Sequence, residues 1–321
     1  MTTTTTELPD ESAANSAYVE LARALHANLK KVLYGADEAV TVAVVATLSG
    51  GHLLLEDVPG VGKTVLARTI SVSLGADLSR VQGHPDLLPT DVTGVSVYSQ
   101  ETGSWEFRRG PVFSHVVLVD ELNRTPPRTQ SALLEAMEEQ QVSSDGTSWP
   151  LPRPHLVIAT QNPVGQLGTY PLVESQLDRF SLSTPLGYPT ADLETQLALR
   201  HGGREALDAL LAICTVERWS EVIDTTRNIY VHPSVAEYAV EITRRTRGAP
   251  GVRLGASPRA SISLVRSAQA HALLYGRNFV SPVDIQAMSF PGLSHRLLTD
   301  SGRSSRSVVA EVVNSVPAPR P

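Results

Sequence analysis

A glycine-rich segment in the first quarter of the chain carries the clearest chemical signal of the sequence. It reads HLLLEDVPGVGKT over residues 52–64: an apolar run, a turn of small residues, and a Lys-Thr pair that opens a helical pattern. Small residues let backbone N–H groups face a phosphate, and the first turn of a helix attracts the same anion. We expect Lys63 to contact the β- and γ-phosphates of a nucleotide and the Thr64 hydroxyl to bind Mg²⁺.

One position of this segment departs from the usual phosphate-loop pattern G-x-x-x-x-G-K-T. Asp57 stands at the first glycine of the pattern, and Pro59 with Gly60 is expected to supply the turn instead. The predicted nucleotide-binding residues of the segment are Asp57, Pro59, Gly60, Val61, Gly62, Lys63, Thr64 and Val65.

Two later strand patterns end in polar side chains. VVLVDE (116–121) ends in Asp120 and Glu121, and HLVIATQNP (155–163) carries Asn162 just after its apolar run. Open α/β sheets bind ligands at the carboxyl ends of their strands, so these side chains are expected near the phosphate loop. We predict that Asp120 belongs to the Mg²⁺ shell and that Glu121 polarises the attacking water. Asn162 is predicted to hold that water or the γ-phosphate.

Two arginines complete the predicted catalytic set. Arg179, in SQLDRF, precedes a short strand, and Arg259, in GASPRA, lies in the first turn of a helix. A cation is disfavoured at that end of a helix unless an anion is near, so Arg259 is expected to face the phosphates bound by its own subunit. Arg179 is expected to act on the nucleotide of a neighbouring subunit. The alternatives are an ion pair of Arg179 with Asp178 or Glu174 and a solvated Arg259.

Strands and helices alternate up to about residue 189, and only helical patterns follow. This order predicts an α/β domain with a parallel sheet covered on both faces, followed by a small all-α domain. Five strands are predicted, at 52–56, 78–82, 116–120, 155–160 and 180–184. The later helices are predicted at 193–199, 205–214, 234–246, 260–275 and 282–288. The predicted divisions are a disordered tail (1–15), the α/β domain (16–188), the helical domain (189–298) and a C-terminal tail with a short helix (299–321).

Composition narrows the function classes. The chain has 321 residues and a net charge of −6, which argues against a dedicated nucleic-acid binder. Its one cysteine excludes an intramolecular disulfide framework and a cysteine-ligated zinc site. No apolar run approaches the ~20 residues of a membrane span. The N-terminus lacks the basic start and apolar run of a secretory signal, so a cytoplasmic location is expected.

The order of these motifs resembles the MoxR family of AAA+ ATPases over about residues 18–298. The most family-specific stretches are ELNRTPPRTQSALLEAMEE (121–139) and the pair GTYPL and QLDRF within residues 168–180. The resemblance implies a P-loop NTPase fold, a three-layer αβα domain with a five-stranded parallel sheet and a helical lid. It also implies β-hairpins within 93–113 and 139–155. The implied roles are Walker A for Lys63 and Thr64, Walker B for Asp120 and Glu121, sensor 1 for Asn162, arginine finger for Arg179, sensor 2 for Arg259, and a position near adenine for Gly35.

The function implied by this resemblance is ATP hydrolysis with Mg²⁺ in a ring, expected to be a hexamer. The family is associated with chaperone-like maturation of protein complexes, often with a partner that carries a von Willebrand factor A domain. Alternatives from the same clade are a chelatase motor subunit and a nucleic-acid motor, the latter disfavoured by the acidic balance. A nucleotide-dependent binding switch with little turnover is disfavoured by the presence of Glu121, which such a switch does not need.

Overall fold

A computed structural model describes residues 11–58, 60–162, 169–199 and 204–319. The strands are β1 (Leu53–Glu56), β2 (Leu78–Gln82), β3 (Gly94–Ser99), β4 (Ser104–Arg109), β5 (Val116–Asp120), β6 (Gln141–Ser144), β7 (Thr147–Pro150), β8 (Leu156–Gln161), β9 (Leu182–Thr184), β10 (Val252–Leu254) and β11 (Leu298–Thr299). The α-helices are α1 (Glu11–Val32), α2 (Asp37–Ser49), α3 (Lys63–Ser73), α4 (Pro89–Thr93), α5 (Pro127–Glu139), α6 (Glu174–Leu177), α7 (Ala191–Leu199), α8 (Arg204–Asp208), α9 (Val216–Arg227), α10 (Pro233–Arg245), α11 (Pro258–Leu274), α12 (Pro282–Leu293) and α13 (Ser305–Ser315).

Five parallel strands form the central sheet in the order β2-β5-β8-β1-β9, which confirms the predicted architecture. Successive side chains of a strand point to opposite faces, and both faces are apolar here. Leu53, Leu55 and Leu118 belong to one hydrophobic cluster, whereas Leu54 and Val117 belong to another on the opposite face. Burial on both faces explains why these strands are continuous apolar runs rather than alternating patterns.

Two antiparallel hairpins, β3–β4 and β6–β7, extend from the α/β domain where the resemblance implied them. They pack against each other, since the Phe107 and Trp149 rings stack with centroids 4.9 Å apart. The Ser96 hydroxyl of the first hairpin also donates a hydrogen bond to Asp145 in the turn of the second, at 2.5 Å. The tip of the first hairpin exposes Trp105, which is 72% accessible.

The C-terminal part is a helical lid, with three differences from the predicted elements. The helix predicted over 205–214 ends at Asp208, and α9, which the sequence reading missed, follows it. A short antiparallel pair, β10–β11, lies within the lid, so the lid is not entirely helical. With three and two residues, these strands are too short for a detectable period. Helix α13 is present within 299–321, and its valines, from Val308 to Val313, are buried against the rest of the lid.

Lid and α/β domain share one hydrophobic cluster. Trp219 of α9 is fully buried, and its indole N–H donates to the carbonyl oxygen of Thr47 in α2 at 3.4 Å. Helix α2 is apolar around most of its circumference because it is covered by both α9 and α11. Within the described residues, no helix has the combination of length and apolar character that crossing a bilayer requires.

Candidate functional site

The phosphate loop connects the end of β1 to the start of α3. Gly62 precedes the helix with φ 102°, a left-handed conformation that a residue with a Cβ would adopt only under strain. Lys63 is the first residue of α3, and its Nζ donates to the carbonyl oxygen of Asp57 at 2.6 Å. Burial lowers the pKa of Lys63, while the carboxylates of Asp57, Asp120 and Glu121 act in the opposite direction. Pro59, also predicted here, lies outside the described residues.

The two carboxylates predicted to form Walker B lie at the end of β5. Asp120 is buried and accepts a hydrogen bond from Nε of Arg80 at 2.7 Å. Glu121 has φ 56°, and strained backbone of this kind at a non-glycine residue concentrates at functional sites. Its N–H donates to the Thr160 hydroxyl at 2.9 Å, and its Oε2 accepts from Gln82 at 3.2 Å and from Arg124 at 2.9 Å. Glu121 is therefore held in place by its backbone and by its carboxylate.

One cleft of about 330 Å³ brings together the predicted phosphate-site residues. Residues lining it include Lys63, Thr64, Asp120, Glu121 and Asn162, so the three separate motifs meet as predicted. The carbonyl oxygen of Asn162 accepts a hydrogen bond from the Asn123 amide at 3.4 Å.

Three further residues of this cleft were missed from the sequence. Arg80 and Gln82 come from β2, and Thr160 comes from the end of β8. Two of them lie in the cleft because β2 runs beside β5 with Gln82 opposite Asp120, and alternate residues of a strand share a face. The strand was predicted, but its neighbour in the sheet was not, so these side chains could not be assigned to the cleft.

A second, more apolar cavity of about 470 Å³ adjoins the phosphate cleft. Its walls are residues 32–36, the loop residues Gly60, Val61, Gly62 and Val65, the segment 186–189, and Glu194 and Ala198 of α7. Gly35 has φ 76°, and a Cβ there would lie 2.6 Å from Cδ1 of Leu193. This places Gly35 beside the loop, in a cavity whose character suits a planar base.

Arg179 and Arg259 lie at the other end of the sheet. They line a cavity together with Gly51 and His52, which precede β1, whereas the phosphate loop follows β1. Arg179 forms an ion pair with Glu138 at 3.2 Å and donates to the carbonyl oxygen of Leu134 at 2.6 Å. Arg259 pairs with the other oxygen of Glu138.

In this structure Arg259 therefore does not face the phosphate cleft of its own subunit, where it was expected. The reason is the anchoring of α11, whose N-cap residue Ser257 donates its hydroxyl to Asp178 at 2.7 Å. That bond fixes the first turn of α11, and Arg259 with it, beside Arg179. The alternative ion pairs of Arg179 with Asp178 or Glu174 are also not formed, because Glu138 of α5 is its partner.

The residues of the cleft fit a nucleoside triphosphate with Mg²⁺. Lys63 supplies a cation, α3 presents its N-terminus, and Thr64 and Asp120 supply the oxygen ligands that Mg²⁺ prefers. In the part of the chain that the structure describes, no group of three or more His, Cys, Asp or Glu side chains forms a metal site of its own. Mg²⁺ is commonly bound by one or two protein ligands plus substrate phosphates.

Comparison with known proteins gives the family. Residues 52–182 match the model of the ATPase family associated with various cellular activities (AAA), and residues 244–315 match the AAA lid domain. The uncharacterised protein YeaC of Bacillus subtilis is 43% identical over 297 residues, which cover 91% of this chain and 93% of YeaC. Chaperone MoxR1 of Mycobacterium tuberculosis is 37% identical over 295 residues, covering 89% of this chain and 78% of MoxR1. The chain belongs to the MoxR family of AAA+ ATPases.

A solved structure supports the same assignment. The crystal structure of a candidate ATPase from Cytophaga hutchinsonii superposes with a TM-score of 0.88 at 34% identity, covering 96% of this chain and 98% of that one. The similarity to this structure thus extends over the lid as well as the α/β domain.

Proposed function

We propose that this MoxR-family protein binds ATP with Mg²⁺ and hydrolyses it to ADP and phosphate. The observation that carries the proposal is the convergence of Lys63, Thr64, Asp120, Glu121 and Asn162 on one cleft beside an apolar cavity of suitable size for a base.

Each residue of the cleft has a separate role. Lys63 binds the β- and γ-phosphates, and Thr64 and Asp120 would hold Mg²⁺, which when bound neutralises phosphate charge. Glu121 polarises the attacking water, a contribution of about 10²–10⁴ in rate for a well-placed general base. The contacts of Glu121 with Gln82 and Arg124 fix the direction of its carboxylate. Asn162 orients the water or the γ-phosphate.

The active species in this proposal is a ring, expected to be a hexamer. Arg179 and Arg259 are too far along the sheet to serve the cleft of their own subunit, yet they form a basic surface on the outside of the chain. A head-to-tail contact that closes by rotation would set this surface against the cleft of the next subunit. Both arginines then neutralise transition-state charge on the neighbour's ATP, a contribution of about 10³–10⁵ in rate where a finger of this kind has been measured.

ATP turnover is proposed to remodel or activate a protein partner in the cytoplasm. The support is family-level, since one relative bears the name Chaperone MoxR1. A partner with a von Willebrand factor A domain is the first candidate to test.

The decisive experiment measures ATP turnover against protein concentration, with and without a Mg²⁺ chelator. Turnover per subunit should rise with concentration as rings form, and chelation should abolish it. The Lys63→Ala variant is the matched control and should be inactive at every concentration. Absence of turnover in the unmodified protein at high concentration with Mg²⁺ would contradict the proposal.

A further inference from the structure

The side chain of Asp57 joins the phosphate loop to the segment that leads into the lid. Its Oδ2 accepts hydrogen bonds from the backbone N–H groups of Leu186 and Gly187, both at 2.7 Å. Its Oδ1 accepts from the N–H of Val58 at 2.8 Å, and the residue is only 7% exposed. One buried carboxylate therefore satisfies three backbone donors from two separate parts of the chain.

Leu186 and Gly187 also line the apolar cavity of about 470 Å³ beside the phosphate cleft. We call it the base-side cavity, because it is the proposed site of the base. The two residues follow β9, whose pairing with β1 ends at Leu55 and Thr184. Beyond that pair, the Asp57 carboxylate makes the contact between the two segments. Residues 186–189 then line the cavity, and the lid helix α7 begins at Ala191. A change at Asp57 thus reaches the base-side wall directly.

The backbone of Asp57 holds the phosphate side at the same time. Its carbonyl oxygen accepts from Nζ of Lys63 at 2.6 Å, and its N–H donates to the carbonyl oxygen of Gln161 at 3.2 Å. Asp57 is consequently in contact with Lys63, with the end of β8 and with the backbone at 186–187. It stands at the position where the usual phosphate loop has a glycine.

We propose that Asp57 is a positioning residue that keeps the base-side wall, residues 186–189, in register with the phosphate loop. This inference rests on the proposed ATP site. A glycine at this position would leave the amides of Leu186 and Gly187 without their acceptor. An alanine would do the same, because its methyl group carries no acceptor. In either case, the wall loses its anchor and must be ordered when the base binds.

The test compares the binding of ATP with that of inorganic triphosphate, which has no base. In Asp57→Ala and Asp57→Gly, the Kd for ATP should rise by about tenfold or more, the scale expected when a buried donor loses its acceptor. The Kd for inorganic triphosphate should change by less than about threefold. Equal losses for the two ligands would overturn the proposal, since Asp57 would then act on the phosphate loop alone.

Glu56→Gln is the matched control. Glu56 adjoins Asp57, and its carboxylate accepts hydrogen bonds from the side chains of Gln161 and Ser183 rather than from the base-side wall. Both affinities should stay near those of the unmodified protein in this variant. If the unmodified protein binds neither ligand, the proposed function fails, and that result is distinct from equal losses in the Asp57 variants.

A measurement on the unmodified protein covers the case in which neither Asp57 variant folds. Without nucleotide, the amides of Leu186 and Gly187 should exchange their hydrogens slowly, because the Asp57 carboxylate already binds them. If the amide hydrogens of the peptide that spans 185–189 exchange as fast as those of an unfolded chain, the proposal is overturned.

Discussion

Arg179 and Arg259 bind the two oxygens of a single carboxylate, that of Glu138, at the end of the sheet opposite to Lys63. The three residues come from different elements: the segment after α6, the first turn of lid helix α11, and the last turn of α5. A carboxylate in the last turn of a helix is disfavoured by the helix dipole, and the two guanidinium groups offset that cost. The two arginines thus form one basic surface that spans both domains.

Arg179 should act on the ATP of a neighbouring subunit. Arg179→Ala and Lys63→Ala should each lower turnover by about 10³-fold or more when assayed alone. Rings mixed from the two variants should regain activity, because a subunit with an intact loop then adjoins one with an intact Arg179. No recovery in rings shown to be mixed would place the function of Arg179 within one subunit.

Arg259 should behave like Arg179 in the same assay, although it belongs to the lid. Its position beside Glu138 predicts that Arg259→Ala leaves the ATP affinity of an unassembled subunit within about twofold of normal while turnover in the ring falls. Lys63→Ala serves as the positive control for lost affinity. A large loss of ATP affinity in unassembled Arg259→Ala would show that the arginine reaches the phosphates of its own subunit in solution.

Glu121→Gln should bind ATP normally and hydrolyse it about 10²-fold or more slowly. The amide keeps the volume of the side chain and an acceptor for Gln82 and Arg124, but it is too weak a base to activate water. Calorimetry for binding and phosphate release for turnover separate the two effects. Because this variant holds the ATP state, it is the form with which to isolate a protein partner. Turnover equal to that of the unmodified chain would move the catalytic base to another residue.

The central sheet and most of the phosphate site could be predicted because their signals are local. A buried parallel strand is a short apolar run, and the polar residues that end such strands converge at one edge. Asp120, Glu121 and Asn162 follow from this rule, and Lys63 follows from the glycine-rich loop between β1 and α3. Arg80 and Gln82 do not, since their place in the cleft depends on which strands are neighbours, and β2 lies beside β5 through a crossover that no local pattern records.

Arg259 shows what the sequence could not predict. Its place is decided by the bond between Ser257 and Asp178, residues 79 positions apart in the chain. The helix start was predictable from Ser257 and Pro258, but the direction from which α11 approaches the sheet was not. Asp57 is a milder case, because the departure from the phosphate-loop pattern was visible while its partners, Leu186 and Gly187, were not.

Acid stability should depend on three buried histidines that stay neutral in the folded chain. Burial lowers the pKa of His52 from 6.5 to about 4. It lowers those of His155 and His295 from 6.5 to about 3. For His52 the hydrogen bonds explain why neutrality is retained, since its Nδ1 accepts from the N–H of Val157 at 3.1 Å and would lose that bond on protonation.

Stability should therefore fall as the pH decreases from about 6.5 to 4, because the unfolded chain binds protons that the folded chain does not. Each such histidine contributes a slope of about 1.4 kcal/mol per pH unit over this range. Asp284 acts in a different pH range. Burial opposes the shift of its pKa, but the hydrogen bond from Arg277 lowers that pKa below 3.8, so the stability that Asp284 contributes is lost only under more acidic conditions.

His295→Gln can still donate to the carbonyl oxygen of Phe180, as His295 does at 3.1 Å, but cannot take up a proton. Urea unfolding between pH 7.5 and 4.5 should give this variant a shallower decline in free energy of unfolding, by about 1.4 kcal/mol per pH unit. His84→Gln, at an exposed position, should keep the slope of the unmodified chain. An unchanged slope in His295→Gln would mean that this imidazole takes up its proton without unfolding the chain.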